Sequence, residues 1–245
     1  MASFGEIRGV IRRRLLINFR IDAAVASKML PERFSPKTHD GFAIGGICLI
    51  RLEQVRPSGL PKVLGFSSEN AAHRFAVTWT DADGGQCEGV YIPRRDSNFW
   101  LSQLAGGRLF PGEQYPADFE VTDDGEMVTL SARSKDGAMN LGVQGRVADA
   151  LPTGSRFESL AASSAFFEAG SIGYSATSRC DRFDGIQLVT QQWEVRPFEV
   201  LQFHSSFFED EAVFPAGSVE FDHALVMRDL DHAWVSKPVL DAGRA

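Results

Sequence analysis

At 245 residues, with 44 % apolar and 23 % charged residues, the chain has ordinary globular composition, far from disordered, collagenous or membrane-embedded extremes. The net charge of -7 repels phosphate backbones and excludes a general nucleic-acid role. No apolar run approaches the roughly 18 residues needed to cross a bilayer, so no membrane partner is expected.

In chain order, the Arg-rich segment 1–16 leads directly into an apolar, partly β-branched stretch at 15–19 and is read as part of the fold rather than as a transit peptide. Asp22 can cap a short helix over 23–30 that Pro31 ends. Residues 42–52 form a long apolar run broken by Gly45 and Gly46, the mark of a strand with a bulge or a close backbone approach. Phe75, Val77 and Trp79 alternate with Arg74, Ala76, Thr78 and Thr80, and the Gly-rich turn at 81–86 returns the chain into a partner strand at 87–92. A short helix is predicted over 98–105, stopped by Gly106 and Gly107.

Strands at 117–122, 127–133 and 139–146 are joined by turns containing Asp124-Gly125 and Asp136-Gly137, which specifies a meander. Ser155 and Glu158 read as a capping box for the longest helix, ended by Gly170. Strands at 186–195, 198–206 and 218–227 complete the chain. The result is a mainly β, mostly antiparallel barrel or curved sheet with about three short helices, in one domain over 1–245. Nineteen phenylalanines fit such a sheet and an apolar pocket within it.

Cys48, Cys87 and Cys180 are widely spaced and odd in number, as free thiols of a reducing, cytoplasmic compartment are. None of the five histidines stands two to four residues from another His or Cys, so no metal is expected. His223 and His232, nine apart, read as surface or structural residues on opposite faces. Asp222 precedes His223, but neighbours on a strand point apart. Phosphate-binding glycine loops and a nucleophile elbow are absent from the sequence, and no cofactor is expected.

Arginines number 20 against five lysines, at 28, 37, 62, 135 and 237. Arg8, Arg12, Arg13 and Arg14 read as a solvated strand edge or as an anion-binding rim. Glu69, His73 and Arg74 before one hairpin, and Arg94, Arg95 and Asp96 after it, are the polar residues placed to meet in a cavity, although structural ion pairs gather the same residue types. His204 shares the parity of Phe198, Val200 and Gln202, which points it inward. The ligand-binding set is therefore Arg20, Glu69, His73, Arg94, Arg95, Asp96, Trp100 and His204; no catalytic residue is assigned.

The segment Asn18-Phe19-Arg20-Ile21-Asp22, continued by Met29-Leu30-Pro31-Glu32-Arg33-Phe34, resembles the opening signature of acetoacetate decarboxylases. Trp193-Glu194-Val195-Arg196-Pro197, Ser205-Ser206-Phe207-Phe208 and the run from Phe214-Pro215 to Asp222 look like an uncharacterised branch of that superfamily. The resemblance implies a curved β fold around one central cavity. It also implies a Schiff-base lysine, because only a lysine offers the free amine. The family's Pro-Lys-Lys falls on Pro93-Arg94-Arg95, or else near 108–114, and neither place carries a lysine here. Arginine cannot form the imine, yet its guanidinium can still grip a carboxylate with two hydrogen bonds.

Two readings follow. One is a small-molecule binder with apolar walls and an arginine anchor, Arg95 or Arg20, for an anionic carboxylate-type ligand. The other is an enzyme acting on a keto acid, hydroxy acid or lactone, with Glu69 or His73 as base. The relatives' tendency to assemble makes a homo-oligomer a further expectation.

Overall fold

A computed structural model describes residues 6–99, 112–179 and 181–242. In chain order it contains β1 (Ile7–Ile21), α1 (Ala23–Met29), β2 (Ser35–Pro36), β3 (Thr38–His39), β4 (Phe42–Pro57), β5 (Phe66–Thr80) and β6 (Gln86–Ser97). There follow β7 (Gln114–Asp123), β8 (Met127–Ser134), β9 (Asn140–Val147), α2 (Leu160–Ala169), β10 (Ile172–Ala176), β11 (Arg182–Thr190), β12 (Arg196–Ser205) and β13 (Val219–Asp241).

All these strands belong to one large sheet that closes on itself. Hydrogen-bonded pairs run from β1 to β4, β5, β6, β10, β11 and β13, and β13 pairs with β1 again. The result is a seven-stranded ring. A second branch leaves β6 through β7, β8, β9 and β12 and rejoins β13, covering the other face of the wall β13-β1-β4-β5-β6. That wall has a core on each side: Leu15, Ile17 and Phe19 pack toward the second branch, whereas Leu16, Cys48, Ala76 and Phe167 pack on the ring side with α2. Period-2 alternation along each strand sends neighbours to different cores.

Local chemistry explains most elements. Asp22 accepts from the amides of Ala24 and Val25 and starts α1. Gly125 and Gly137 turn the β7-β8-β9 meander with positive φ of 100° and 74°. Gly46 lets β4 approach β1, since a Cβ there would lie 2.1 Å from the Ile17 carbonyl oxygen.

Several sequence expectations are corrected. The capping box does not form: Ser159 caps α2 by accepting from the Ala162 amide, while the Ser155 hydroxyl donates to Asp222. β11 ends at Thr190, short of residue 195. β1 is a central strand between β4 and β13, so its arginines do not line a solvated edge. The helix predicted over 98–105 falls mostly outside the described residues. Two α-helices are described where three were expected, and no described helix is long and apolar enough to cross a membrane.

Candidate functional site

The ring encloses a cavity of about 110 Å³ whose walls are alternate residues of its strands. Cys48, Ile50 and Leu52 come from β4; Asn70, Ala72 and Arg74 from β5; Val90 and Ile92 from β6; Ile186 and Leu188 from β11. Arg14, Arg95, Asp96, Ser97 and Trp234 also line it.

Two β-bulges decide which arginines enter. Ile11 faces Leu52 and Arg13 faces Arg51, so β1 carries an extra residue at Arg12 and its parity flips. Arg14 thereby joins the ring side with Leu16, while Arg13 turns away to Glu69 at 2.7 Å and Asp123 at 3.2 Å. In β6 two residues stand between Tyr91 and Arg94 where β5 has one, between Phe75 and His73. Pro93, with no N–H to give the ladder, lies within this bulge. Past it Arg95 lines the cavity, and the Arg94 guanidinium is bonded to Asp96 and Asp136.

Among the described residues, none of the three cavity arginines has a carboxylate partner. Arg14 Nε donates to Cys48 Sγ at 3.3 Å, and its guanidinium lies 5.5 Å from the centre of the Trp193 ring. Arg95 Nε donates to Ser175 Oγ at 2.9 Å. Arg74 is 3 % exposed, has an unpartnered Nε and stands over the Phe167 ring. Burial pushes both Arg74 and Arg95 down to about 10, still far above neutrality, so both stay charged. Three uncompensated cations against apolar walls are costly unless an anion completes them.

Behind Arg74 lies a sealed hydrogen-bond chain. Arg74 Nη2 donates to Asn18 Oδ1, and Asn18 Nδ2 lies 3.3 Å from His223 Nε2. Ser163 Oγ is 2.7 Å from the same nitrogen, and His223 Nδ1 lies 2.6 Å from Asp222 Oδ1. Asp222 also accepts from Ser155 Oγ and the Arg156 amide. Burial alone would raise the Asp222 carboxyl, but the His223, Arg156 and Ser155 hydrogen bonds hold it at about 2. An ionised Asp222 fixes the proton on Nδ1, so Nε2 accepts from Ser163 and Asn18. The order Ser, His, Asp is that of a hydrolytic triad. None of the three lines the cavity and all are buried, so in this geometry they orient Asn18 and, through it, Arg74.

Asp222 and His223 meet because Asn18 pairs with His223 and Phe19 with Phe221, which leaves Asp222 as a bulge residue. This corrects the expectation that the two side chains point apart. His223 and His232 are both buried, which removes the surface alternative and leaves the structural one. Burial, with a contribution from Arg14, pushes His232 down to about 4.

The sequence-derived set is only partly brought together. Arg95 and Asp96 line the cavity, and Arg94 supports Asp96. Glu69 and His73 lie on the opposite face of β5. Burial raises the Glu69 carboxyl despite Arg13, and burial pushes His73 down to about 3, its ring 4.6 Å from Phe207. Arg20 binds Glu220 and the Gly154 carbonyl, so it is not a free anchor. His204 points outward to Glu209 at 2.6 Å, because an extra residue at Leu201 shifts β12 against β9. Trp100 lies outside the described residues. Arg14, Arg74 and Cys48 were not in the set, and only the β1 bulge puts Arg14 rather than Arg13 on the cavity side.

None of the five lysines lines this cavity among the described residues. Nor do any three His, Cys, Asp or Glu side chains of the described residues converge as metal ligands would.

The profile of DUF2071, described as an uncharacterized conserved protein, matches residues 10–227. Among solved structures, an acetoacetate decarboxylase-like enzyme from Sphingomonas wittichii RW1 is 12 % identical, with a TM-score of 0.58 over 98 % of this chain and 93 % of that one. Acetoacetate decarboxylase from Legionella pneumophila is also 12 % identical, with a TM-score of 0.58 over 98 % and 90 %. The enduracididine biosynthesis enzyme MppR, solved in complex with pyruvate, is 7 % identical, with a TM-score of 0.58 over 99 % and 92 %. At such identities the likeness is one of fold. A comparison with curated protein sequences finds no match.

Proposed function

The chain belongs to the DUF2071 family, whose acetoacetate decarboxylase-like fold it carries, and from that premise we propose that it binds a small carboxylate-bearing molecule in the ring cavity. Arg14, Arg74 and Arg95 hold the anionic group, and Ile50, Leu52, Ile92 and Leu188 take the apolar remainder. The observation that carries this reading is the set of three guanidiniums in one cavity, none paired to a carboxylate among the described residues, while Asp96 beside them is taken by Arg94. Pyruvate in the MppR structure is a ligand of the same chemical class in a protein of similar fold.

Imine chemistry is not part of the proposal, since neither stretch on which the resembling family's lysines can be laid, Pro93-Arg94-Arg95 or 108–114, carries a lysine in this sequence. Incubation with acetoacetate and borohydride should leave the protein mass unchanged. Acid/base catalysis by Glu69 or His73 finds no support, because both lie on the far face of β5. The protein is expected to act in a reducing, cytoplasmic compartment, with assembly into a homo-oligomer tested separately by sedimentation.

A thermal-shift screen of keto acids, hydroxy acids and their amides tests the reading. A ligand at 100 times its Kd adds about 2.7 kcal/mol. Carboxylates should stabilise the protein and the matching amides should not. Equal shifts for acids and amides would defeat it.

A further inference from the structure

The cavity also contains a nucleophile. Cys48 is free, 8 % exposed, and lines the same space as the arginines, with Sγ 3.3 Å from Arg14 Nε. The second observation is Arg74, nine-tenths buried and lining the same cavity, with its Nε unpartnered. Cys87 provides a contrast within the same molecule. It lies outside this cavity with Sγ 3.7 Å from Asp81 Oδ2, and burial together with that carboxylate pushes its thiol up.

We propose that Cys48 adds covalently and reversibly to the carbonyl carbon of a keto acid whose carboxylate is held by the cavity arginines. This rests on the carboxylate-binding reading. In the step, a sulfur electron pair forms the carbon–sulfur bond and the carbonyl π pair moves onto oxygen. That oxygen takes the proton released by the thiol, giving a hemithioketal. No atom leaves and nothing is oxidised or reduced. Besides its share in holding the carboxylate with Arg74 and Arg95, the Arg14 guanidinium beside the sulfur is placed to hold the charge that develops on oxygen. The thiol thus stands in the role that an amine plays in the imine-forming relatives, with chemistry that leaves the substrate carbon tetrahedral rather than conjugated.

Competitive alkylation of the full chain tests this, with iodoacetate and iodoacetamide as probes and each cysteine followed by peptide mass. Attraction by a charged cleft raises encounter rates by 10-fold or more. The ratio of iodoacetate to iodoacetamide rates should therefore be at least about tenfold higher at Cys48 than at Cys87. Pyruvate should protect Cys48 and leave Cys87 unaffected. Arg14→Met should collapse the ratio. Pyruvate labelled at its carbonyl carbon should show a tetrahedral carbon resonance with the parent protein and none with Cys48→Ser.

If pyruvate stabilises the parent and Cys48→Ser alike, with no tetrahedral signal in either, the covalent step is overturned and the binding reading stands. If Cys48 reacts with both reagents at similar rates and pyruvate neither protects nor stabilises, the carboxylate reading falls and takes the covalent step with it.

Discussion

Arg13 and Arg74 are both buried, at 2 % and 3 % exposure, yet the structure assigns them opposite responses to the same substitution. Arg13 is neutralised by Glu69 and Asp123. Arg13→Met strands those carboxylates and should cost about 3–5 kcal/mol, as breaking a buried pair does. Arg74 has no such partner. Lowering its guanidinium from 12.5 to about 10 corresponds to about 3 kcal/mol against the charged form. Arg74→Met removes that penalty and loses the bond to Asn18, worth about 1.5–3 kcal/mol, and the contact with Phe167, worth about 0.5–2 kcal/mol. These nearly cancel, so unfolding stability without ligand should change by less than about 1–2 kcal/mol. Stabilisation by pyruvate should fall at least about tenfold in apparent affinity, because one charged hydrogen bond is lost. Urea unfolding of both variants, with and without pyruvate, is the assay. If Arg74→Met destabilises as severely as Arg13→Met, or keeps the full pyruvate response, the arginine is structural and the site is misassigned.

Acid sensitivity should come from His73 and His232. Their folded forms take up protons only near 3 and 4, whereas the unfolded chain does so near 6.5, so stability is intact above about 6.5 and falls as pH drops. Between pH 6.5 and 5 each should cost about 2 kcal/mol, and His73→Leu should remove about half of the total loss in urea midpoints. A parent-like pH profile in that variant would contradict the linkage. Ser159→Ala should lower stability by about 1 kcal/mol through loss of the α2 cap, read in thermal melts. Asp222→Asn should cost about 1–3 kcal/mol and weaken pyruvate binding, because His223 no longer has an anionic acceptor to fix its tautomer and Asn18 loses its orientation. Unchanged binding there would detach the buried chain from the cavity.

Much of the fold was legible because its signals are local. Asp22 before a short apolar periodicity announced α1, and the Asp-Gly pairs announced the meander. Alternation named the strands. The site was harder to read, since it depends on which side of a strand a residue faces many positions beyond the last certain marker. Counting parity put His204 inside and separated Asp222 from His223. One inserted residue in each strand reversed both outcomes.

The sequence by itself determined a β-rich chain and where its turns lie. Only the tertiary structure decided which arginines share a space. A β-bulge is an extra residue accommodated by the neighbouring strand, and its place is set by the pairing register between distant segments. The bulges at Arg12 and beside Pro93 exist only against β4 and β5, so neither β1 nor β6 alone specifies that Arg14 and Arg95 turn inward to meet Arg74.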